Sequence, residues 1–242
     1  MLCPARAHPS HKDFDKILDM SLSAPASATR GRRPRPPVAA FTAALVAGDA
    51  GMAGGIADAF WGSTRSRLAV ISDLIHPAQY QIGELWYQGR LGVAEEHRAT
   101  AIVTALGGRL APTPVDRPVR SGACCILSGL TRERHVVGMQ LLALGLEDEG
   151  WTVRQLVPPT PRAELLRAVS EWRPDVVGLS AAYLPADREI ATAIHAVKAL
   201  GVPVLVGGAF FNRAPDLWRA VGADAHGSDA RVATVLMRKL LR

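Results

Sequence analysis

A glutamate, a histidine and a glycine stand at the spacing Glu133-x-His135-x-x-Gly138, directly after the apolar run Cys124-Cys125-Ile126-Leu127. A neutral imidazole where a strand gives way to a helix can ligate a metal through one ring nitrogen. A carboxylate two residues earlier can accept the N–H of the other nitrogen and so fix the tautomer. Gly138, with no side chain, would let a bulky ligand lie close to the backbone. By itself the pattern is weak, because a lone histidine at a strand end is more often a satisfied surface residue. Two further features point to the same edge. Ser180 closes the apolar run Val176–Ser180 in Gly178-Leu179-Ser180-Ala181-Ala182, where its hydroxyl can bond a heterocycle inserted beside a sheet. Gly207-Gly208 closes the next apolar run, where two missing side chains leave a slot. Each has an ordinary reading, a turn cap for Ser180 and a tight connection for the glycine pair, but the three together are harder to dismiss.

The elements that must carry these residues alternate. Apolar runs at Cys124–Leu127, Thr152–Val157, Val176–Ser180 and Val202–Val206 are separated by helical patterns near Val136–Glu149, Pro161–Trp172 and Arg188–Leu200. A short strand near Ala223–His226 and a helix from Ser228 complete an expected five strands and five helices. Such alternation predicts right-handed crossovers and a parallel, Rossmann-like (flavodoxin-like) sheet covered on both faces. Ligand is then expected at the carboxyl ends of the strands. Residues 121–242 form this α/β domain, with His135 on its first strand-to-helix connection.

Upstream, residues 35–110 are rich in alanine and leucine with helical spacing, broken at Gly48, near Gly62-Ser63, and at Gly89 and Gly92. Four helices are expected, an all-α bundle. Ser63 or Thr64 is expected to cap the third, Pro77 to kink or break it, and the fourth to run from Val93 to Gly107-Gly108. Three prolines between Pro112 and Pro118 mark residues 111–120 as a linker.

The chain has 242 residues and a net charge of +6, much of whose excess lies in Arg30, Arg32, Arg33 and Arg35. Residues 1–34 read as a flexible basic tail, because proline, serine and arginine without periodicity bury too little apolar surface to offset chain entropy. Aromatic residues are 5% of the chain and none interleave with the arginines, which argues against a nucleic-acid platform. Three cysteines give no disulfide framework. No window approaches the roughly 18-residue apolar run of a membrane span, and no signal peptide is evident, so a cytoplasmic protein without membrane association is expected.

On Glu133-x-His135-x-x-Gly138, then Ser180 in Ser-x-x, then Gly207-Gly208, residues 121–242 resemble the cobalamin (vitamin B12)-binding domain. In that family the order is Asp/Glu-x-His-x-x-Gly, Ser-x-Leu and Gly-Gly. The resemblance implies that His135 is the lower axial ligand of cobalt, replacing the cofactor's own base, and that Glu133 orients it. Gly138 would pass the corrin edge, and Ser180, Gly207 and Gly208 would line the channel for the nucleotide tail. The chain departs from the pattern at Ala182, where leucine is common; this loosens one channel wall and removes no ligand.

The segment Ile82-Gly83-Glu84-Leu85-Trp86-Tyr87-Gln88-Gly89-Arg90-Leu91-Gly92-Val93-Ala94-Glu95-Glu96-His97 resembles the helical cap of light-sensing adenosylcobalamin-dependent regulators. There a tryptophan, and Glu-His ten residues later, cover the upper face of the cofactor. Trp86, Glu96 and His97 match. Without the downstream domain these residues read more readily as bundle core and a solvated first turn, and the domain reverses that reading. The best-studied members have a histidine after the tryptophan, where this chain has Tyr87, so a two-histidine photoproduct is not expected. No winged-helix domain precedes the bundle in the sequence, so direct DNA binding is not expected and output is assigned to an unidentified protein partner or a homo-oligomer. The alternatives are a corrinoid methyl carrier of a methyltransferase system, holding methylcobalamin, and a cobalamin storage or delivery protein. No catalytic residue is expected in the sensor reading. Nothing settles whether a bilin binds as well; Cys3, Cys124 and Cys125 are poorly placed to attach one.

Overall fold

The computed structural model describes residues 35–110, 122–129, 135–157, 160–182, 187–214 and 216–241. The tail expected at 1–34, the linker at 111–120 and Glu133 lie outside the described residues. Pro34–Arg242 form one compact unit, in which the helical and α/β halves pack together.

The helical half begins with α1 (Val38–Ala47) and α2 (Ala50–Thr64). Asp49 starts α2 by accepting a hydrogen bond from the Met52 N–H, an N-cap contribution of about 1 kcal/mol. α2 runs through Gly62-Ser63 to Thr64 and ends where Arg65 takes a left-handed conformation, φ 51°. The expected cap at Ser63 or Thr64 is therefore misplaced. Both hydroxyls bond back to the Phe60 carbonyl within α2, and Ser66 caps the next helix by accepting from the Ala69 N–H.

That next helix is a single rod in three parts: α3 (Arg67–Ala69), a π-helical stretch (Val70–Ile75) and α4 (His76–Tyr87). Pro77 neither breaks the rod nor ends it. The His76 N–H reaches back five residues to the Ile71 carbonyl. Such a widened turn just before a proline accommodates its missing donor and its ring. α5 (Val93–Leu110) closes the bundle, continuing through Gly107-Gly108. A Cβ at Gly107 would lie 3.7 Å from both Leu141 and Leu144, in ordinary contact, so α5 packs on the α/β half at this point. The bundle core holds Phe41, Leu45, Phe60, Ile71, Leu74 and Ile82, with Leu141 entering from the α/β half.

The α/β half runs β1 (Cys124–Gly129), α6 (Val137–Asp148), β2 (Thr152–Leu156), α7 (Arg162–Trp172), β3 (Val176–Ser180), α8 (Asp187–Ala199), β4 (Val204–Gly207), α9 (Ala209–Arg213), α10 (Leu217–Ala220), β5 (Ala225–Gly227) and α11 (Ala230–Lys239). The sheet order is β2-β1-β3-β4-β5 and every pair is parallel, as the alternation predicts. The described residues hold six helices here rather than five, because two short ones share the β4–β5 crossover. Alternate residues of each strand feed different cores. Ile126, Val177 and Val206 face α7 and α8 residues such as Leu165 and Ile194, while Cys125, Leu127 and Leu205 pack with Met139 and Met237 of α6 and α11.

Contacts along the rod place the bundle. Arg67 pairs with Asp148 at the end of α6, and Leu68 packs on Gly145. Asp73 pairs with Arg231 at the start of α11, 2.7 Å apart, and Tyr80 accepts a hydrogen bond from Asn212 of α9. The rod thus climbs from the amino edge of the sheet to its carboxyl edge.

Candidate functional site

Register gathers the strand ends into one row. Gly129 pairs with Ser180, Ser180 with Gly207, and Gly207 with Gly227. Three of the four have no side chain, so the carboxyl edge carries a slot floored by backbone, with one half-buried hydroxyl at Ser180. The loops at its end are laced together. The Ala181 N–H donates to the Gly207 carbonyl and the Phe210 N–H to the Ala181 carbonyl. Gly208 has φ 97°, and a Cβ there would stand 2.3 Å from the Ala181 oxygen; a Cβ on Gly207 would meet the Gly227 oxygen at 3.0 Å. Gly208 is thus demanded by the backbone itself, and any side chain at Gly207 would crowd the slot.

Order reverses at β1, between β2 and β3, which is the position where an open α/β sheet offers a crevice. His135 is exposed and stands two residues before α6, the helix that follows β1. Gly138 is exposed in the first turn of α6, and a Cβ added there meets no atom within 4 Å. Among the described residues no three His, Cys, Asp or Glu side chains converge as a metal cage.

The cap residues lie at one end of the α4–α5 hairpin. Gly89 and Arg90 close α4 by donating to the Trp86 and Leu85 carbonyls. Glu95 then opens α5 by accepting from the Gly92 N–H at 2.6 Å. Ile82 and Leu85 pack into the bundle core, whereas Trp86 is 37% exposed. Glu96 is held from one side. The Thr100 hydroxyl donates to it at 2.9 Å, and the Gln79 amide donates to Thr100 at 3.4 Å. Its other oxygen is 3.6 Å from His97 Nε2, and the His97 side chain is 74% exposed. The hairpin brings Trp86, Glu96 and His97 to one end of the cap, and the sheet brings Ser180, Gly207 and Gly208 to one edge.

Sequence reasoning missed a polar chain between the two halves. His226 Nε2 lies 2.8 Å from Asn212 Oδ1, and the Asn212 amide donates to Tyr80 Oη at 2.6 Å and to the Ser228 carbonyl at 2.8 Å. Because Asn212 presents its oxygen, His226 carries its proton on Nε2. The Tyr80 ring meets His76 edge-on, with centroids 4.9 Å apart. Burial lowers the pKa of His76, which Asp229 partly offsets, and burial lowers that of His226. No periodicity or motif marks these residues. Cys124 and Cys125 are remote from this edge: β1 begins at Cys124, and burial pushes the Cys125 thiol up, out of the reactive range.

The structure is an open parallel sheet with a helical cap, a glycine-rich row of strand ends at its carboxyl edge and an exposed histidine at its switch point. The chain belongs to the B12 binding domain family, whose models match residues 125–235 and, for the helical cap, 38–110. It is 34% identical over 146 residues to the HTH-type transcriptional repressor CarH of Myxococcus xanthus, covering 59% of this chain and 48% of the repressor. To the repressor CarA of the same organism it is 34% identical over 125 residues, 49% of this chain and 41% of the repressor. The chain thus spans about half the length of these curated relatives. The structure resembles the monomethylamine corrinoid protein of Methanosarcina barkeri, with a TM-score of 0.65 and 14% identity over 82% of this chain and 96% of that one, a likeness of fold. The residues fit cobalamin: an exposed imidazole that could hold cobalt, open space at Gly138, and a strand edge that a side chain at Gly207 would crowd. Among the described residues no helix is long and apolar enough to cross a membrane.

Proposed function

We propose that this chain is a cobalamin-dependent light sensor that uses adenosylcobalamin. The observation that carries the proposal is a cap whose Trp86 is kept out of the bundle core at the same hairpin end as Glu96 and His97, joined to an α/β half that presents His135 and the glycine-rich strand ends. Kinship in sequence with two transcriptional repressors supports a regulatory role. His135 would hold cobalt, with Glu133 as its orienting carboxylate. Gly138 borders the corrin, and Ser180, Gly207 and Gly208 line the tail channel. Trp86 offers an apolar face to the upper ligand, and Glu96 and His97 offer hydrogen-bonding groups to a nucleoside.

When bound, adenosylcobalamin supplies a cobalt–carbon bond that light can break. Trp86, Glu96 and His97 would contact an upper ligand only while it is present, so the cap's preferred position would differ between the states with and without it. That difference becomes a signal only if the states differ in affinity for something else, here a protein partner or a second copy of the chain. Tyr87, 67% exposed, carries a phenol and not an imidazole, so recapture of cobalt by a second histidine at that position is not part of the proposal.

The test is reconstitution in darkness with adenosylcobalamin, followed by size-exclusion chromatography before and after green illumination. A light-dependent change of elution together with a spectral change supports the sensor. Binding without any effect of light, and equal affinity for the adenosyl and methyl forms, favours the corrinoid methyl carrier or a storage role.

A further inference from the structure

The rod formed by α3, the π-helical stretch and α4 is pinned to the α/β half at points along its length, and the last of those points among the described residues is Tyr80 on Asn212. Trp86 follows six residues later, about 9 Å further along the helix axis at 1.5 Å per residue. It therefore stands at the far end of an overhang. Asn212 is itself anchored twice, by His226 of β5 and by the Ser228 carbonyl. It lies on the short helix that follows Gly207-Gly208, so the element that ends the glycine slot is the one that grips the cap. Beside it, Arg231 of α11 holds Asp73 at 2.7 Å, both groups about one-third exposed.

We propose that Asn212, with Tyr80 and the Asp73–Arg231 pair, is the pivot that fixes the angle of the cap over the sheet edge, making these four positioning residues for Trp86. The inference deepens the cobalamin-sensor reading and rests on it only for what Trp86 covers. The geometry supports a pivot because the contacts join elements far apart in sequence, Tyr80 and Asn212 being separated by 132 residues and Asp73 and Arg231 by 158. They are polar and partly solvated, and such bonds are exchanged for water at small cost. The apolar packing of Leu141 against the bundle keeps the halves together when they open.

The experiment measures cap position in the apo protein, by pulsed electron spin resonance between labels at Arg90→Cys on the α4–α5 turn and Glu171→Cys on α7, with Cys3 and Cys124 changed to serine. Arg90 and Glu171 are both exposed. The parent is expected to give one narrow distance. Tyr80→Phe, which keeps the ring and its edge contact with His76, and Asp73→Asn are each expected to broaden and shift it. The exchange Asp73→Arg with Arg231→Asp is expected to restore it. Unchanged distances in both single variants, or broadening that the charge exchange does not rescue, would overturn the pivot. Adenosylcobalamin and methylcobalamin titrations of the same proteins separate the two ideas. If the parent itself shows no preference for the adenosyl form, the upper-ligand reading fails while the distance result still decides the pivot. If the parent shows the preference, the pivot requires that Tyr80→Phe reduce it.

Discussion

Changing Gly138 to alanine is expected to strengthen the empty protein and weaken the loaded one. Gly138 sits in the first turn of α6, outside the positive-φ residues, and a Cβ there touches nothing within 4 Å. Alanine at such a site removes unfolded-chain entropy without strain, a gain of about 0.4–1 kcal/mol. For a chain of this size that raises the melting temperature of apo protein by roughly 1–4 °C. If the corrin edge passes over Gly138, the same methyl group presses on the ligand. Overpacking costs typically 1–3 kcal/mol, which lowers cobalamin affinity roughly 5- to 150-fold. The assays are thermal denaturation of apo protein and absorbance titration with cobalamin. Higher stability with undiminished affinity would refute the assignment of Gly138 to the ligand boundary. Lower apo stability would refute the reading of the open space.

Gly208→Ala is expected to act oppositely, lowering apo stability by several kcal/mol because its Cβ would lie 2.3 Å from the Ala181 oxygen at φ 97°; denaturant unfolding checks this. Trp86→Ala is expected to cost adenosylcobalamin more affinity than methylcobalamin, measured by parallel titrations, since the side chain is outside the bundle core and its loss leaves no cavity there. Acid is expected to loosen the molecule. Burial holds the folded pKa values of His76 and His226 below the ordinary histidine value of about 6.5, so the unfolded chain binds more protons, and stability falls as pH drops from about 6.5 through the lower folded values. Unfolding curves at pH 7.5 and pH 5 check it, and His226→Gln is expected to flatten the dependence.

The sheet and its candidate ligand edge were legible because the information is local. Runs such as Val176–Ser180 announce strands, and the Ser180 and Gly207-Gly208 positions fall at strand ends whatever the partner strand is. Parallel register then aligns them without further instruction. The rod was harder. Pro77 predicts a break on local grounds, and a π-helical turn held by bundle packing at Val70, Ile71 and Leu74 overrides it. Ser66 and Ser63 are equal as capping residues in sequence; the left-handed turn at Arg65 decides between them. The grip of Asn212 on Tyr80 was invisible, because neither residue carries a periodic or motif signal and only the folded chain brings them within 2.6 Å.

The central claim, that His135 holds cobalt, is tested most directly by absorption spectra of protein reconstituted in darkness with adenosylcobalamin, for the parent and for His135→Ala. The account predicts a bound spectrum with the cofactor's own base displaced by imidazole in the parent, and loss of that lower-ligand signature with weakened binding in the variant. An unchanged spectrum and affinity in His135→Ala, or no binding by the parent, would contradict it.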